Sequence, residues 1–193
     1  MRKIENIFPF VYNKKDEDKI RERQRKIQDI ETFDSNIKSE YSDVVNQNDL
    51  DKLVCLYNET ILAKGKLEDK AKSMTLALTV SVTLILGLAD TLSQIFGMVS
   101  LYSIRALFSF LGIMAIGYMI FAGLFSAKIF LTDILVYKIN ETEEDLKQQY
   151  MKCTILNRLS NTVRSNYIYT SYECLRNSLS ILFFIFVFVV IVA

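Results

Sequence analysis

The feature that most limits what this chain can fold into is the stretch from Ser73 to Ala127, fifty-five residues carrying only two charges, Asp90 and Arg105. A bilayer's hydrocarbon core takes about 20 apolar residues in helical form. The stretch holds two such lengths with a short break between them, so a transmembrane helical hairpin is the expected centre of the fold.

Charge around this hairpin is laid out in blocks. Residues 1–72 carry fifteen Lys/Arg and fifteen Asp/Glu, 73–127 one of each, 128–177 seven and six, and 178–193 none. At 193 residues the chain has room for one domain of ordinary size. The expected fold is an all-α membrane protein. Residues 1–72 form a cytoplasmic helical and coiled-coil region, 73–127 the hairpin, 128–177 a second cytoplasmic helical region with an amphipathic helix, and 178–193 a C-terminal third apolar span.

Composition removes several function classes. The chain has no histidine, and so lacks the commonest general base and metal ligand. Cys55, Cys153 and Cys174 are too few and too scattered for a disulfide framework or a four-ligand metal site. No P-loop, glycine-rich dinucleotide loop or metal-ligand spacing occurs. Glu143 and Glu144 sit at a helix start, where acidic residues are expected anyway. No catalytic residue, metal or cofactor is therefore expected, and the chain is not read as an enzyme. A secretory signal pattern is also missing, since the apolar run Ile7–Tyr12 is short and a long charged block follows it. The hairpin itself is expected to direct insertion.

The N-terminus gathers Ile4, Ile7, Phe8, Phe10 and Val11 around the only proline, Pro9, which bars a continuous helix there. It reads as a flap packed on the helix after it, or as a docking or plug segment. From Lys14 to Val45 no Gly or Pro interrupts a run of helix formers. Counted in sevens, Ile20, Ile27, Asp34 and Tyr41 take one seam position and Arg23, Ile30, Ile37 and Val44 the other, so six of eight are apolar or aromatic. So narrow a seam favours self-association through Ile20, Ile27, Ile30, Ile37 and Val44. The alternative is an amphipathic helix folded back on its own chain. Asn46–Asp49 reads as a turn rich in N-cap residues, leading to a second helix with Leu50, Leu53, Val54, Tyr57 and Ile61 on one face. Gly65 is expected to bend the chain. Lys64, Lys66, Lys70 and Lys72 then mark the cytoplasmic side of the first span.

That span, Met74 to Gln94, repeats Thr75, Thr79, Thr83, Gly87 and Thr91 at every fourth residue, with Ala77 and Ser81 as a second pair. Residues four apart share a helix face. Such a face allows close helix packing or lines a narrow wet path. As pore lining the candidates are Thr75, Thr79, Thr83, Gly87 and Asp90, whose carboxylate is either functional or an interfacial anchor. The outer turn falls at Asp90–Gln94 or at Gly97–Arg105. The second span, Ala106–Ala127, contains Gly112, Gly117 and Gly123, with Gly123 and Ala127 as a small-residue pair. The helix is expected to continue past Lys128 through Tyr137 and Lys138.

After the acidic Asn140–Asp145, no carboxylate appears until Glu173. Lys147, Lys152, Arg158 and Arg164 lie in that gap with Tyr150, Tyr167, Tyr169 and Tyr172 and with Asn157, Asn161 and Asn166. Cations mixed with flat rings and amides suit phosphates and bases, giving Lys147, Lys152, Arg158, Arg164 and Tyr167 as ligand candidates. The same residues also suit anionic lipid headgroups. The apolar tail either crosses the bilayer as a third span, with Arg176 at the inner face and the C-terminus outside, or dips in partway.

This layout resembles the SLATT family of small bacterial membrane effectors in nucleotide-regulated anti-phage systems, CBASS-like or Hailong-like. The likeness rests on the helical N-terminus, the LEDKAKS junction, the paired spans from 73 to 127 and the charged helix behind them; the apolar tail after Arg176 departs from it. It implies a multi-pass protein of the bacterial inner membrane with a cytoplasmic N-terminus. It further implies a homo-oligomer, tetrameric or of similar size, that opens pores in response to the product of a partner nucleotidyltransferase. The ligand is then a cyclic oligonucleotide or a short DNA oligomer. A non-conducting scaffold that recruits a partner through its N-terminal helices is the alternative from another class.

Overall fold

The computed structural model describes residues 7–28, 45, 47–98, 102–131 and 143–192. Four helices account for them: α1 (Pro9–Gln28), α2 (Leu50–Met98), α3 (Tyr102–Phe130) and α4 (Glu143–Val192). No strand occurs among the described residues. Ile30, Ile37 and Val44 of the expected seam lie outside them, as do Tyr137, Lys138, Asn140 and Glu141. Asp90 falls within α2, but its side chain is outside the description.

Pro9 opens α1, where its missing N–H costs no helical bond. Asp49 precedes α2, its carbonyl accepting from the amides of Lys52 (3.1 Å) and Leu53 (3.3 Å). At 49 and 50 residues, α2 and α4 are far longer than a bilayer is thick: each runs roughly 75 Å at about 1.5 Å per residue, against a hydrocarbon core of about 30 Å. Two expectations are corrected by this length. Gly65 does not bend the chain. A helical glycine costs only about 1 kcal/mol, and α2 is held on α4 both before it, at Leu53 and Tyr57, and after it, at Ala71. α4 is continuous through the 177/178 boundary. Asp90–Gln94, the first place proposed for the outer turn, lies inside a helix, since α2 runs unbroken to Met98 and α3 begins at Tyr102.

α2 and α4 run side by side in the same direction. Leu53 packs with Met151 and Ile155, Ala71 with Val163 and Tyr167, and Leu78 with Cys174 and Leu175. α3 returns antiparallel to both, and hydrogen bonds from side chain to backbone fix its level. Ser171 Oγ donates to Ala122 O and Ser178 Oγ to Ala115 O, each at 2.8 Å. Ser126 Oγ donates to Ala71 O at 3.2 Å. Small side chains let two backbones come this near. They are Ala115, Ala122 and Ser126, all buried, and not the glycines. A methyl group at Gly112 or Gly117 meets nothing within 4 Å, and at Gly123 it only reaches Leu78 at 4.0 Å.

Among the described residues two helices are long and apolar enough to cross a membrane, over Ala106–Phe130 and Leu146–Phe188. At the same level all three long helices expose large apolar side chains: Leu76, Val80 and Leu84 on α2, Phe110, Ile113 and Ile120 on α3, Phe183, Phe184 and Val190 on α4.

α1 lies antiparallel on α4. Ile20 joins the cluster of Ala71, Ile129, Val163 and Tyr167, and Ile27 joins Leu53, Met151 and Ile155. The described part of the seam is therefore used within the protomer, as the folded-back alternative has it. The N-terminal flap packs across α3 and not on the helix after it. Phe10 stacks on Phe121 with ring centres 4.7 Å apart, and Tyr118 Oη donates to Ile7 O at 2.8 Å.

Candidate functional site

Two surfaces carry the residues singled out above. The first is the threonine stripe of α2. Thr75 Oγ1 donates to Ala71 O at 3.0 Å and lies 3.2 Å from Ser126 Oγ, which puts the stripe on the flank of α2 nearer α3. Thr79 and Thr83 each donate to the carbonyl four residues back at 3.0 Å. These bonds keep the hydroxyl hydrogens satisfied inside the helix and leave lone pairs outward. Thr79, Thr83 and Gly87 are exposed. Ser81 of the second pair is buried and bonded to Ala77 O at 2.8 Å, so it belongs to the protomer's own packing.

The second surface is a groove of about 620 Å³ between α2 and α4, on the charged side of the apolar level. Glu59, Lys66 and Lys70 line the α2 wall, and Arg158, Asn161, Thr162 and Ser165 the α4 wall. Lys66 and Lys70 are four apart and so share a face. Among the described residues neither Lys66, Lys70 nor Arg158 forms an ion pair, whereas neighbouring Lys64 and Lys72 hold Glu68 (3.3 Å) and Asp69 (3.0 Å). Asn161 is held in place by donating to Thr60 O at 2.8 Å. Three cations around one open groove suit a phosphate-bearing ligand.

Of the five ligand candidates, only Arg158 reaches this groove. Lys147 and Lys152 are half-buried towards the start of α4 and engaged with other residues. Arg164 is wholly buried, its Nη1 donating to Asn161 Oδ1 at 2.6 Å. Tyr167 is 2% exposed, its ring 5.9 Å from that of Phe125 and 5.5 Å from Lys128 Nζ. Both are buried against the other helices of the protomer. Lys66 and Lys70 read in the sequence only as signs of sidedness. Their shared helix face is legible there, but nothing in the sequence announces that Arg158 stands opposite.

Tyr167 also anchors α1. Arg21 Nε donates to Glu17 Oε1 at 2.7 Å and Arg21 Nη2 to Tyr167 Oη at 3.5 Å. Burial raises the Glu17 pKa, but hydrogen bonds from Tyr167 and Arg21 outweigh it and hold the carboxyl below its ordinary value. The same contacts, to Tyr167 first and Glu17 second, raise Arg21. Below and above this point, Gln24 Nε2 donates to Ser160 Oγ at 2.9 Å and Asn13 Nδ2 to Thr170 Oγ1 at 2.8 Å. α1 is thus held on α4 largely by polar contacts.

Compared with family models, curated proteins and solved structures, the chain has no match.

Proposed function

We propose that this protein is a homo-oligomeric ion channel of a bacterial inner membrane, opened or closed by a nucleotide or short oligonucleotide at its cytoplasmic end. The observation that carries this reading is one packed helical unit with uncovered polar faces at its apolar level and a cationic groove directly below. The exposed apolar belt on α2, α3 and α4 supports three spans; the lysines before the first span favour an inside N-terminus, and three spans then leave the C-terminus outside. Three spans are too few to enclose a path alone, so several protomers, four or a similar number, would meet around one axis. Thr75, Thr79, Thr83, Gly87 and Asp90 belong to the interior of that assembly. Lys66, Lys70 and Arg158 would hold the ligand's phosphates. The resemblance to SLATT effectors supports anti-phage defence, with the ligand supplied by a nucleotidyltransferase and membrane depolarisation ending in growth arrest or death. A scaffold acting through an N-terminal coiled coil has less support, since Ile20 and Ile27 are taken up by α4.

The test is ion flux from liposomes holding the purified protein, with a cyclic dinucleotide, a cyclic trinucleotide or a short single-stranded DNA oligomer as probe. Flux that one probe switches on or off is expected. An intact oligomer that passes no ions with or without any of the three overturns the reading.

A further inference from the structure

Hydrogen bonds between α3 and α4 fix the depth of every residue on α4. Ser171 meets Ala122, Ser178 meets Ala115, and Ile185 packs on Phe108. Tyr118, midway along the apolar run Ala106–Phe130, therefore stands level with residues 174–178 of α4. Arg176 lies at that half-depth. Its Nη1 donates to Glu173 Oε1 at 3.0 Å, and Nη2 reaches Glu173 Oε2 and, at 3.4 Å, Asn177 Oδ1. The pair is lopsided: the Glu173 side chain is 5% exposed and that of Arg176 43%, so the cation looks out of the protomer.

An arginine facing lipid at the bilayer centre is costly, and headgroups some 15 Å away are beyond its reach. Arg176 is also not alone. Tyr169, Tyr172 and Ser180 are exposed at intervals of three and four residues from it and share its face. The same spacing continues down through Ser165 and Thr162 to Arg158 at the groove. Above Ser180 the same surface turns apolar at Leu179 and Phe183, so the polar line runs from the groove to half-depth, and over that length it has one economical surrounding, which is water.

We infer that this face of α4 lines the aqueous path of the assembled channel and that Arg176 makes the path selective for anions. The inference rests on the channel reading and narrows it. Thr162 and Ser165 adjoin Lys66 and Lys70, so the α4 face continues onto the groove side of α2. Thr79 is nine residues, or about two and a half turns, beyond Lys70 and points to the opposite side of α2. One axis does not meet both faces. The threonine stripe is then the close-packing contact between neighbouring protomers, the role small residues fill between membrane helices. Behind each Arg176 a buried Glu173 neutralises part of the charge, so a ring of arginines is tolerated while its outer edge still attracts anions.

The experiment is the reversal potential of the reconstituted protein in planar bilayers under a potassium chloride gradient, with the same three oligonucleotide probes. Wild type is expected to reverse on the chloride side, and Arg176→Lys to keep that sign. Arg176→Gln is expected to move the reversal towards zero or past it. Because that variant strands a buried carboxylate, the double change Glu173→Gln with Arg176→Gln is made beside it; it should still conduct, without preference. Thr79→Leu should leave the preference unaltered. Reversal potentials unmoved in both glutamine variants, or moved by Thr79→Leu alone, overturn the assignment while leaving a channel. An intact oligomer with no current under any condition overturns the channel reading, and this inference with it.

Discussion

Ala115 and Ala122 carry no chemistry, yet they decide how near α3 comes to α4, because a serine on one helix bonds a carbonyl on the other at 2.8 Å only if no larger side chain stands between. Ala122→Leu should push the helices apart and destabilise the fold by about 1–3 kcal/mol. Gly117→Ala, where added atoms meet open space, should change little. Thermal midpoints of the two variants in the same detergent check the contrast; equal midpoints would remove the close approach from the account. Glu17 supplies the second residue-scale test. Its carboxyl is held below the ordinary value, so its contribution to docking α1 is complete above about pH 4.5 and is lost as pH falls through the depressed value. Hydrogen-exchange protection of α1 should therefore drop on acidification in the wild type. Glu17→Gln should start lower and show little of that drop.

Taken as an element, α1 shows what a sequence pattern tells and withholds. The seam of Ile20 and Ile27 was legible as a narrow apolar stripe, but a stripe does not name its partner; α4 supplies one because Val163 and Ile155 stand at matching levels along it. The apolar run of α3 was legible for a plainer reason, the absence of charge from Ala106 to Ala127. The groove was not, since Lys66 and Lys70 are brought to Arg158 only by the parallel packing of α2 on α4. Arg164 misled for a related cause: a cation in a basic stretch reads as exposed until the neighbouring helices bury it. The start of α1 sets up a further test. Phe10 lies on Phe121, inside the apolar run of α3, and Ile7, Phe8 and Val11 point outward beside it. This end of α1 should sit within the inner leaflet. The chain has no tryptophan, so Phe8→Trp provides a single probe. Its emission should be lost to brominated lipids, as that of Ile120→Trp on α3 should be, while Glu22→Trp on the exposed lower part of α1 should keep its emission. Quenching at Ile120 but not Phe8 would lift α1 out of the membrane; quenching at neither would take α3 out of it as well.

At the scale of the whole molecule, the two long helices share one groove at the charged level and one packed interface at the apolar level. On the proposed reading, a ligand drawn between Lys66, Lys70 and Arg158, which line the groove, would alter the spacing of α2 and α4 at the charged end. Tight packing at Ala71, Val163, Leu78 and Cys174 transmits such a change upward, because a close-packed interface shifts as a unit and does not deform gradually. Neutralising one of the three cations should weaken the response to an oligonucleotide about tenfold, since a hydrogen bond to a charged group contributes roughly 1.5–3 kcal/mol. Lys70→Gln with Arg158→Gln should then raise the probe concentration needed for half-maximal flux by roughly a hundredfold. Placing a carboxylate in the groove with Lys66→Glu should abolish the response while leaving any flux seen without ligand. Lys147→Gln and Lys152→Gln, which lie towards the far end of α4, should leave the dose response in place. The wild-type response should also weaken as salt is raised, because ions at about 0.15 M screen charges beyond roughly 8 Å and compete for the groove. A dose response untouched by the groove changes but abolished by those at Lys147 and Lys152 would move the ligand to the start of α4 and break the proposed link between groove and path.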